Sequence, residues 1–420
     1  MLDINIIREN PDYVKQSIAN KNSTIDIDKL LSIDENRRKI INEVETLKAL
    51  RNKVTQEIAE AKKNKENAQS KIDEMRKVSA NIKELDNTLS EIELEFHNLL
   101  LQIPNIADVS VPIGKSEKDN IIIKTNGETT TADKPDHLEI ARRLGILDFE
   151  RGAKVSGSGF AFYTGKGAAL ERALINFFLD ENTSRGYYEM MTPFMVNEDS
   201  MRGTGQLPKM AEDMYYMQED NMYMIPTAEV PLTNFHRDDM IPYNELNKQI
   251  CGYSPCFRRE AGSYGKDVRG FLRVHQFNKV ELVKFTKPED SWIELDKMVA
   301  DVENLLVKLG FTYRLNQLCT GDTSFASAKT IDLEVWSEGE KNWLEVSSCS
   351  NFIDFQARRA NIRFKRAADS KPEFVHTLNG SGLATPRILV ALLEKYYDGE
   401  KVNIPECLHP YLRFKSISID

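Results

Sequence analysis

From residue 33 to residue 61 the apolar positions Ile33, Ile40, Val44, Leu47, Val54, Ile58 and Ala61, with Arg37 and Arg51 in the same series, recur by alternating fours and threes. That spacing is a heptad, and it predicts one long helix whose seam two arginines interrupt. After the polar stretch KKNKENAQSK the seam resumes at Met75, Val78, Ile82, Leu85, Leu89, Ile92, Phe96 and Leu99, with no polar interruption. Two heptad helices joined by a short polar turn predict an antiparallel coiled-coil hairpin over about residues 30–100. With roughly thirty residues per helix its length is on the order of 45 Å, so it is expected to project beyond an ordinary domain.

The periodicity stops at Pro104 and PIGKSEKDN, so residues 104–120 read as a linker. From 121 to 420 the pattern changes to short β-rich runs, MYMIP, VELVKF, IDLEVW and NWLEVSS, with helical stretches near 167–185, 289–309, 354–366 and 384–396. Strands and helices intermixed without regular βαβ alternation predict an α+β body on a mixed or antiparallel sheet. No Walker loop or dinucleotide fingerprint is present, so any phosphate site must be built from side chains. The expected division is an N-terminal unit at 1–103, the linker, and a larger domain at 121–420.

Within the body, residues 254–285 carry chemistry. The strand-like runs SPCFRRE and HQFNKVELVKF flank AGSYGKDVRGFLRV, where Gly262, Gly265 and Gly270 permit a long loop. In an antiparallel pair, Arg258 and Glu260 point together while Arg259 points away, and Phe277, Lys279 and Glu281 share one face. A guanidinium, carboxylates and an aromatic ring on one face suit an adenine nucleotide with a carboxylate-bearing partner. A surface salt-bridge ladder accounts for the same residues when the hairpin is taken alone.

Composition narrows the rest. The chain has 420 residues, 29% of them charged, and a formal charge of -9, so nucleic-acid binding would have to come from local basic patches. One such patch is Lys62, Lys63, Lys65, Lys71, Arg76 and Lys77 at the tip and distal flanks of the hairpin, although a solvated coiled-coil tip explains these residues equally well. The five cysteines (Cys251, Cys256, Cys319, Cys349, Cys407) form no CxxC pair and read as reduced thiols. Asp3, Arg8 and Glu9 interrupt the N-terminus and no long apolar run follows, so a cytoplasmic protein without a membrane segment is expected.

Several motifs resemble a known family. FRRE, a loop and HQFNKVE are similar to motif 2 of the class II aminoacyl-tRNA synthetases, and GSGLATPRILVALLE to their motif 3, within about 379–396. PTAEVPLTN, SPCFRREAGS, CTGD, DLEVW, EVSSCSNFIDFQARR, EFVHTLNGSGLA and the preceding arm resemble, in order, the bacterial-type seryl-tRNA synthetases. The resemblance spans essentially the whole chain. It implies a six-stranded antiparallel sheet flanked by helices and a homodimer formed through motif 1, placed at about 186–197 in GYYEMMTPFMVN with Pro193.

It also implies the chemistry: activation of L-serine with ATP and Mg²⁺ to seryl-adenylate, then transfer to the 3′ end of serine tRNA, and of selenocysteine tRNA where one exists. Arg258 matches the motif 2 arginine bridging the serine carboxylate and α-phosphate, and Arg387 the motif 3 arginine on the γ-phosphate. Phe277 would stack on adenine and Glu260 meet its amine; Arg259, Val346 and Ser347 complete the ATP set. Glu345 and Ser348 match the positions that hold Mg²⁺; Glu345, taken without the family, reads as a carboxylate buried between strands in a salt bridge. Thr227, Ala228 and Glu229 would lie near the serine amino group, with Glu281, Asn379 and Ser381 around its hydroxyl. Asn379 and Ser381 alone read as a turn in NGSG.

A site that hydrogen-bonds a hydroxyl rejects the analogue lacking it, by about 10⁴ to 10⁵, so alanine should be excluded. The arm would lie along the serine tRNA and read backbone and shape. GDTSFASAKT and LATPR depart from the commoner family wording; Pro386 just ahead of Arg387 is tolerable at a helix start. The cysteines stand in the bacterial-type context, so no zinc is expected. Two other readings stay open: a ligase that charges a carrier protein, against which the intact arm speaks, and an inactive paralogue, against which Arg258, Glu281, Glu345 and Arg387 together speak.

Overall fold

The computed structural model describes residues 1–130, 133–261 and 270–419. Gly262 and Gly265, expected in the loop of the 254–285 hairpin, lie outside the described residues. The chain divides into two compact units, Met1–Ala19 with Ser23–Pro104, and Asn20–Asn22 with Asn105–Asp420.

The first unit is dominated by two helices, α1 (Ile27–Lys63) and α2 (Gln69–Leu100). Asp26 caps α1, its carboxylate accepting from the Lys29 amide at 2.9 Å. Every seam residue expected from the heptads is buried or half-buried, while the positions between them are mostly exposed. Cross-helix ion pairs follow an antiparallel register: Lys29 with Glu95 at 3.0 Å, Lys48 with Asp86 at 3.0 Å, and Lys71 with Glu57 at 2.7 Å. Arg37, one of the two arginines in the seam, stacks its guanidinium on Phe96 at 5.2 Å and reaches Glu93 at 3.2 Å. Its alkyl stem thus fills the seam while its charge is met on the opposite helix.

The second unit is built on a sheet of eight strands among the described residues: β1 (Ile121–Asn126), β2 (Tyr188–Glu189), β3 (Lys248–Phe257), β4 (Gln276–Thr286), β5 (Tyr313–Gln317), β6 (Lys329–Ser337), β7 (Asn342–Asn351) and β8 (His376–Ala384). Their order is β1-β5-β6-β7-β8-β4-β3-β2. The inner six are antiparallel, as expected, and two edge strands extend them: β1, antiparallel to β5, and the two-residue β2, parallel to β3. Helices α3 (Lys166–Ser184), α4 (Ser291–Lys308) and α5 (Thr385–Tyr396) pack on the sheet, and Leu174, Phe178, Met298, Val302, Leu389 and Leu392 form part of the buried core. Gly380 of β8 permits this close approach, since a Cβ there would stand 2.8 Å from Met298 Sδ and 2.9 Å from Cys349 Sγ.

One expected helix is shorter than its sequence pattern. Over 354–366 only Phe355–Ala360 is helical, because Asn361 takes φ 54 and ends it in a left-handed cap, after which Arg363–Phe364 pairs as a strand. Asn105, in the stretch read as a linker, is buried, and its side-chain amide donates to the Ala326 and Phe352 carbonyls at 2.9 Å each. All five cysteines are unpaired thiols, and burial pushes Cys251 and Cys349 up to about 12. Among the described residues no helix is long and apolar enough to cross a membrane.

Candidate active site

The motif 2 strands β3 and β4 pair in continuous register, with Phe277 opposite Cys256 and Glu281 opposite Gly252. Strand alternation therefore turns Phe277, Lys279 and Glu281 to one face. On its other side β4 pairs with β8, and a bulge between Lys279 and Glu281 sets Glu281 opposite Ser381 and Val283 opposite Asn379. The expected turn around NGSG is thus a buried strand, with both side chains beside the motif 2 carboxylate.

These strands floor a cavity of about 760 Å³, lined by Thr227, Glu229, Arg258, Glu260, Glu281, Glu345, Ser348, Asn379 and Ser381. At its centre is a polar network. The Thr227 hydroxyl donates to Glu281 Oε2 at 3.0 Å and accepts from Lys279 Nζ at 2.9 Å and from the Glu229 amide at 3.1 Å. Lys279 also forms a close ion pair with Glu281. Gln356 donates to Glu229 Oε1 at 2.6 Å and accepts from the Thr377 hydroxyl at 2.7 Å. Burial, then repulsion from Glu281, push the Glu229 carboxyl up to about 7, against the pull of Gln356, Lys279 and Arg258.

A smaller pocket of about 250 Å³ adjoins, lined by Arg258, Glu260, Phe277, Glu345, Val346, Ser347 and Arg387 among others. The Arg258 guanidinium lies over the Phe277 ring at 5.2 Å and donates to the Pro226 carbonyl at 3.3 Å. Arg387 donates to the Glu345 carbonyl at 2.8 Å and to the Leu272 carbonyl at 3.3 Å. Backbone oxygens hold both cations; among the described residues no carboxylate forms an ion pair with Arg258, while Arg387 also pairs with the half-exposed Glu345 Oε2 at 3.6 Å. Guanidinium groups fixed in this way are prepared for phosphate or carboxylate oxygens.

Three expectations are corrected. Glu345 forms the ion pair expected of it, with Arg387, but is not buried between strands: its side chain is 49% exposed, because β7 turns it outward opposite Glu334. Ala228 does not line the cavity; it is fully buried against Leu232 and Ile241 below the short helix Glu229–Asn234. Arg259, two residues beyond the end of β3, is exposed and lines neither pocket, and its amide donates to the Asp213 carbonyl at 2.9 Å. The six arm cations are all exposed, and two already face carboxylates: Lys71 meets Glu57 at 2.7 Å and Arg76 meets Asp73 at 3.4 Å.

Other residues at the site had weaker signals. Alternation places Lys279 on the face of Phe277 and Glu281 but assigns it no role. Arg273 pairs with Glu260 at 2.8 Å, and Gln356 approaches from a separate helix with no local pattern to announce it. Asp332 on β6 stands opposite Ser348, with Oδ1 buried and unpartnered; burial, then Glu345, hold its carboxyl well above the usual range. Such a carboxylate beside Glu345 and Ser348 fits a hard divalent cation, which would satisfy the orphan oxygen and relieve the repulsion.

Elsewhere, among the described residues, His137, Glu340 and Glu394 bring three potential metal ligands together. His137 Nδ1 lies 3.4 Å from an oxygen of each glutamate, but Nε2 accepts from the Phe271 amide at 3.4 Å. Accepting at Nε2 places the ring proton on Nδ1, which points toward the carboxylates without a hydrogen bond to either and has no lone pair for a metal. Gly270 makes this approach possible at φ 59, since a Cβ there would stand 2.4 Å from Nε2.

An antiparallel sheet presenting an arginine from a β-hairpin and another from the helix after its central strand defines a class II aminoacyl-tRNA synthetase body. Comparison with known proteins makes this specific. Residues 214–396 match the model of the tRNA synthetase class II core domain (G, H, P, S and T), and residues 1–107 match the seryl-tRNA synthetase N-terminal domain. The serine–tRNA ligase of Chlorobium phaeobacteroides (strain BS1) is 53% identical over 99% of this chain and 100% of its own length. That of Chloroherpeton thalassium is 54% identical over 98% and 99%. The seryl-tRNA synthetase of Pyrococcus horikoshii, solved in complex with ATP, superimposes with a TM-score of 0.94 at 36% identity, covering 100% of both chains. The chain belongs to the seryl-tRNA synthetase family, and its activity is the ligation of serine to tRNA.

Proposed function

We propose that the protein works in two steps within one cavity. A serine carboxylate oxygen attacks the α-phosphorus of ATP, forming seryl-adenylate and releasing pyrophosphate. A terminal ribose hydroxyl of the tRNA then attacks the adenylate carbonyl, and AMP leaves. The observation that carries this reading is the convergence of Arg258, Glu229, Glu281, Asn379 and Ser381 on one cavity next to the pocket of Phe277 and Arg387. Arg258, common to both, bridges serine carboxylate and α-phosphate; Arg387 takes the γ-phosphate; Phe277 stacks on adenine, with Glu260 at its amine. Glu345 and Ser348 would hold Mg²⁺, which supplies charge neutralisation on the phosphates. Positioning and charge stabilisation suffice, without a covalent nucleophile.

Glu229 and Thr227 receive the serine ammonium, and Glu281, Asn379 and Ser381 its hydroxyl. The arm cations take the backbone of serine tRNA, and of selenocysteine tRNA where present, an assignment supported by their exposure on the hairpin. Two such chains pair through motif 1, where Tyr188, Met191, Phe194 and Met195 are exposed, Met191 at 90%. Serine-dependent ATP–pyrophosphate exchange, run beside charging of total tRNA, tests the reading. Exchange and charging together support it. Exchange without charging supports a carrier-protein ligase, and no exchange with any amino acid supports an inactive paralogue.

A further inference from the structure

Behind the nucleotide pocket, on the side away from its lining, a carboxylate joins both motifs. Glu171 of α3 is 4% exposed. Its Oε1 accepts from Asn278 Nδ2 of β4 at 2.7 Å and, in a close contact, from the hydroxyl of Thr385, the first residue of α5. The Thr385 hydroxyl also lies 3.2 Å from the Asn278 carbonyl, and the Tyr253 hydroxyl donates to Asn278 Oδ1 at 2.9 Å. Asn278 follows Phe277 directly, and Thr385 stands between Ala384 and Pro386, with Arg387 one residue further; Phe277, Ala384, Pro386 and Arg387 line the 250 Å³ pocket, whereas Asn278 and Thr385 do not. One oxygen thus binds the residue next to the ring wall and the first residue of the helix that carries the arginine.

We infer that Glu171 is a positioning residue for the nucleotide, fixing the spacing between Phe277 and Arg387 by tying motif 2 to motif 3 from behind. The inference rests on the proposed assignment of that pocket to ATP. Three observations favour this role over simple core packing. The site is polar inside an otherwise apolar cluster, with Leu174, Val280 and Leu383 nearby in sequence. Glu171 Oε2 is buried with no hydrogen-bond partner, so the side chain is kept in place despite a desolvation cost. No cation forms an ion pair with it among the described residues, and burial pushes its carboxyl up to about 6, against the hydrogen bonds from Thr385 and Asn278. A group held there at such cost does more than fill space.

The role depends on acceptance, not on charge. A glutamine in place of Glu171 offers the same carbonyl oxygen to Asn278 and Thr385, whereas alanine removes it. Pyrophosphate exchange by the full-length protein, with ATP and serine varied in turn, reads the difference. Glu171→Ala is expected to raise the KM for ATP by about tenfold while leaving that for serine within about twofold, and Glu171→Gln to stay within about threefold of wild type for both. Thr385→Val, which removes one donor without opening a cavity, is expected to raise the ATP KM alone by about threefold, and serves if Glu171→Ala does not fold. Equal loss for both substrates, a glutamine variant as impaired as alanine, or an unchanged ATP KM in Thr385→Val would overturn the inference. Phe277→Ala in the same assay separates the two levels. If it raises the ATP KM while Glu171→Ala does not, only the positioning role fails; if it leaves the ATP KM unchanged, the nucleotide assignment fails with it.

Discussion

The arm and the cavity solve opposite problems. In α1 and α2 each seam residue meets neighbours three or four positions away and one facing helix, so a repeating pattern suffices and a charge such as Arg37 is accommodated by stacking on Phe96. In the cavity, Thr227, Glu281, Gln356 and Ser381 come from four distant stretches, and charges of both signs are buried within a few ångströms of one another. The arm tolerates change at single positions because its stability is spread along the seam. The cavity does not, because each polar group there is another's partner and an abandoned one is left buried.

The sharpest way to test this difference is to damage each region and read both activities. Arg258→Ala should lower serine-dependent exchange by about a thousandfold or more, with tRNA binding retained. Deleting residues 36–98 and rejoining the helices with a short turn should do the reverse, abolishing charging while exchange persists. The close approach of Arg37 to Glu93 at the base of the excised segment favours such closure.

A second effect, of intermediate size, belongs to the cavity alone. Glu229 must be ionised to receive an ammonium group, and its carboxyl is pushed up to about 7 by burial and by Glu281. Ionisation is therefore lost as pH falls through that value, and the serine KM should rise by about tenfold per pH unit below it. Measured from pH 8 to 5.5, the rise should disappear in Glu229→Gln, whose serine KM is high throughout. A flat wild-type profile would remove Glu229 from the ammonium site.

Smaller effects test the arm. Ile82 is 3% exposed in the seam, so Ile82→Ala should cost about 2–4 kcal/mol in urea unfolding followed by helicity, with exchange unaffected. Lys48 and Asp86 pair at 3.0 Å with both side chains 44% exposed, and Lys48→Met should change stability by less than about 1 kcal/mol.

The same contrast explains what the sequence disclosed. Both heptad series were legible because each periodic position reports on its own helix, and every one is at least half-buried. The faces of β4 were legible from alternation. The extent of the helix at Phe355 was not, because a left-handed Asn361 ends it without any break in the polar pattern. Glu345 was misjudged because a strand residue opposite Glu334 can face either core or solvent, and only the cavity decides. Gln356, Asp332 and Glu171 had no local signal: each acquires its meaning from a strand or helix that the chain reaches much later or earlier.

The most direct test of the account is ATP–pyrophosphate exchange by the full-length protein with serine, alanine, threonine and cysteine offered separately. Robust exchange is expected with serine, and exchange with alanine lower by about 10⁴-fold, because alanine leaves the hydroxyl partners Glu281, Asn379 and Ser381 empty. Comparable exchange with alanine, or none with serine, would contradict this expectation.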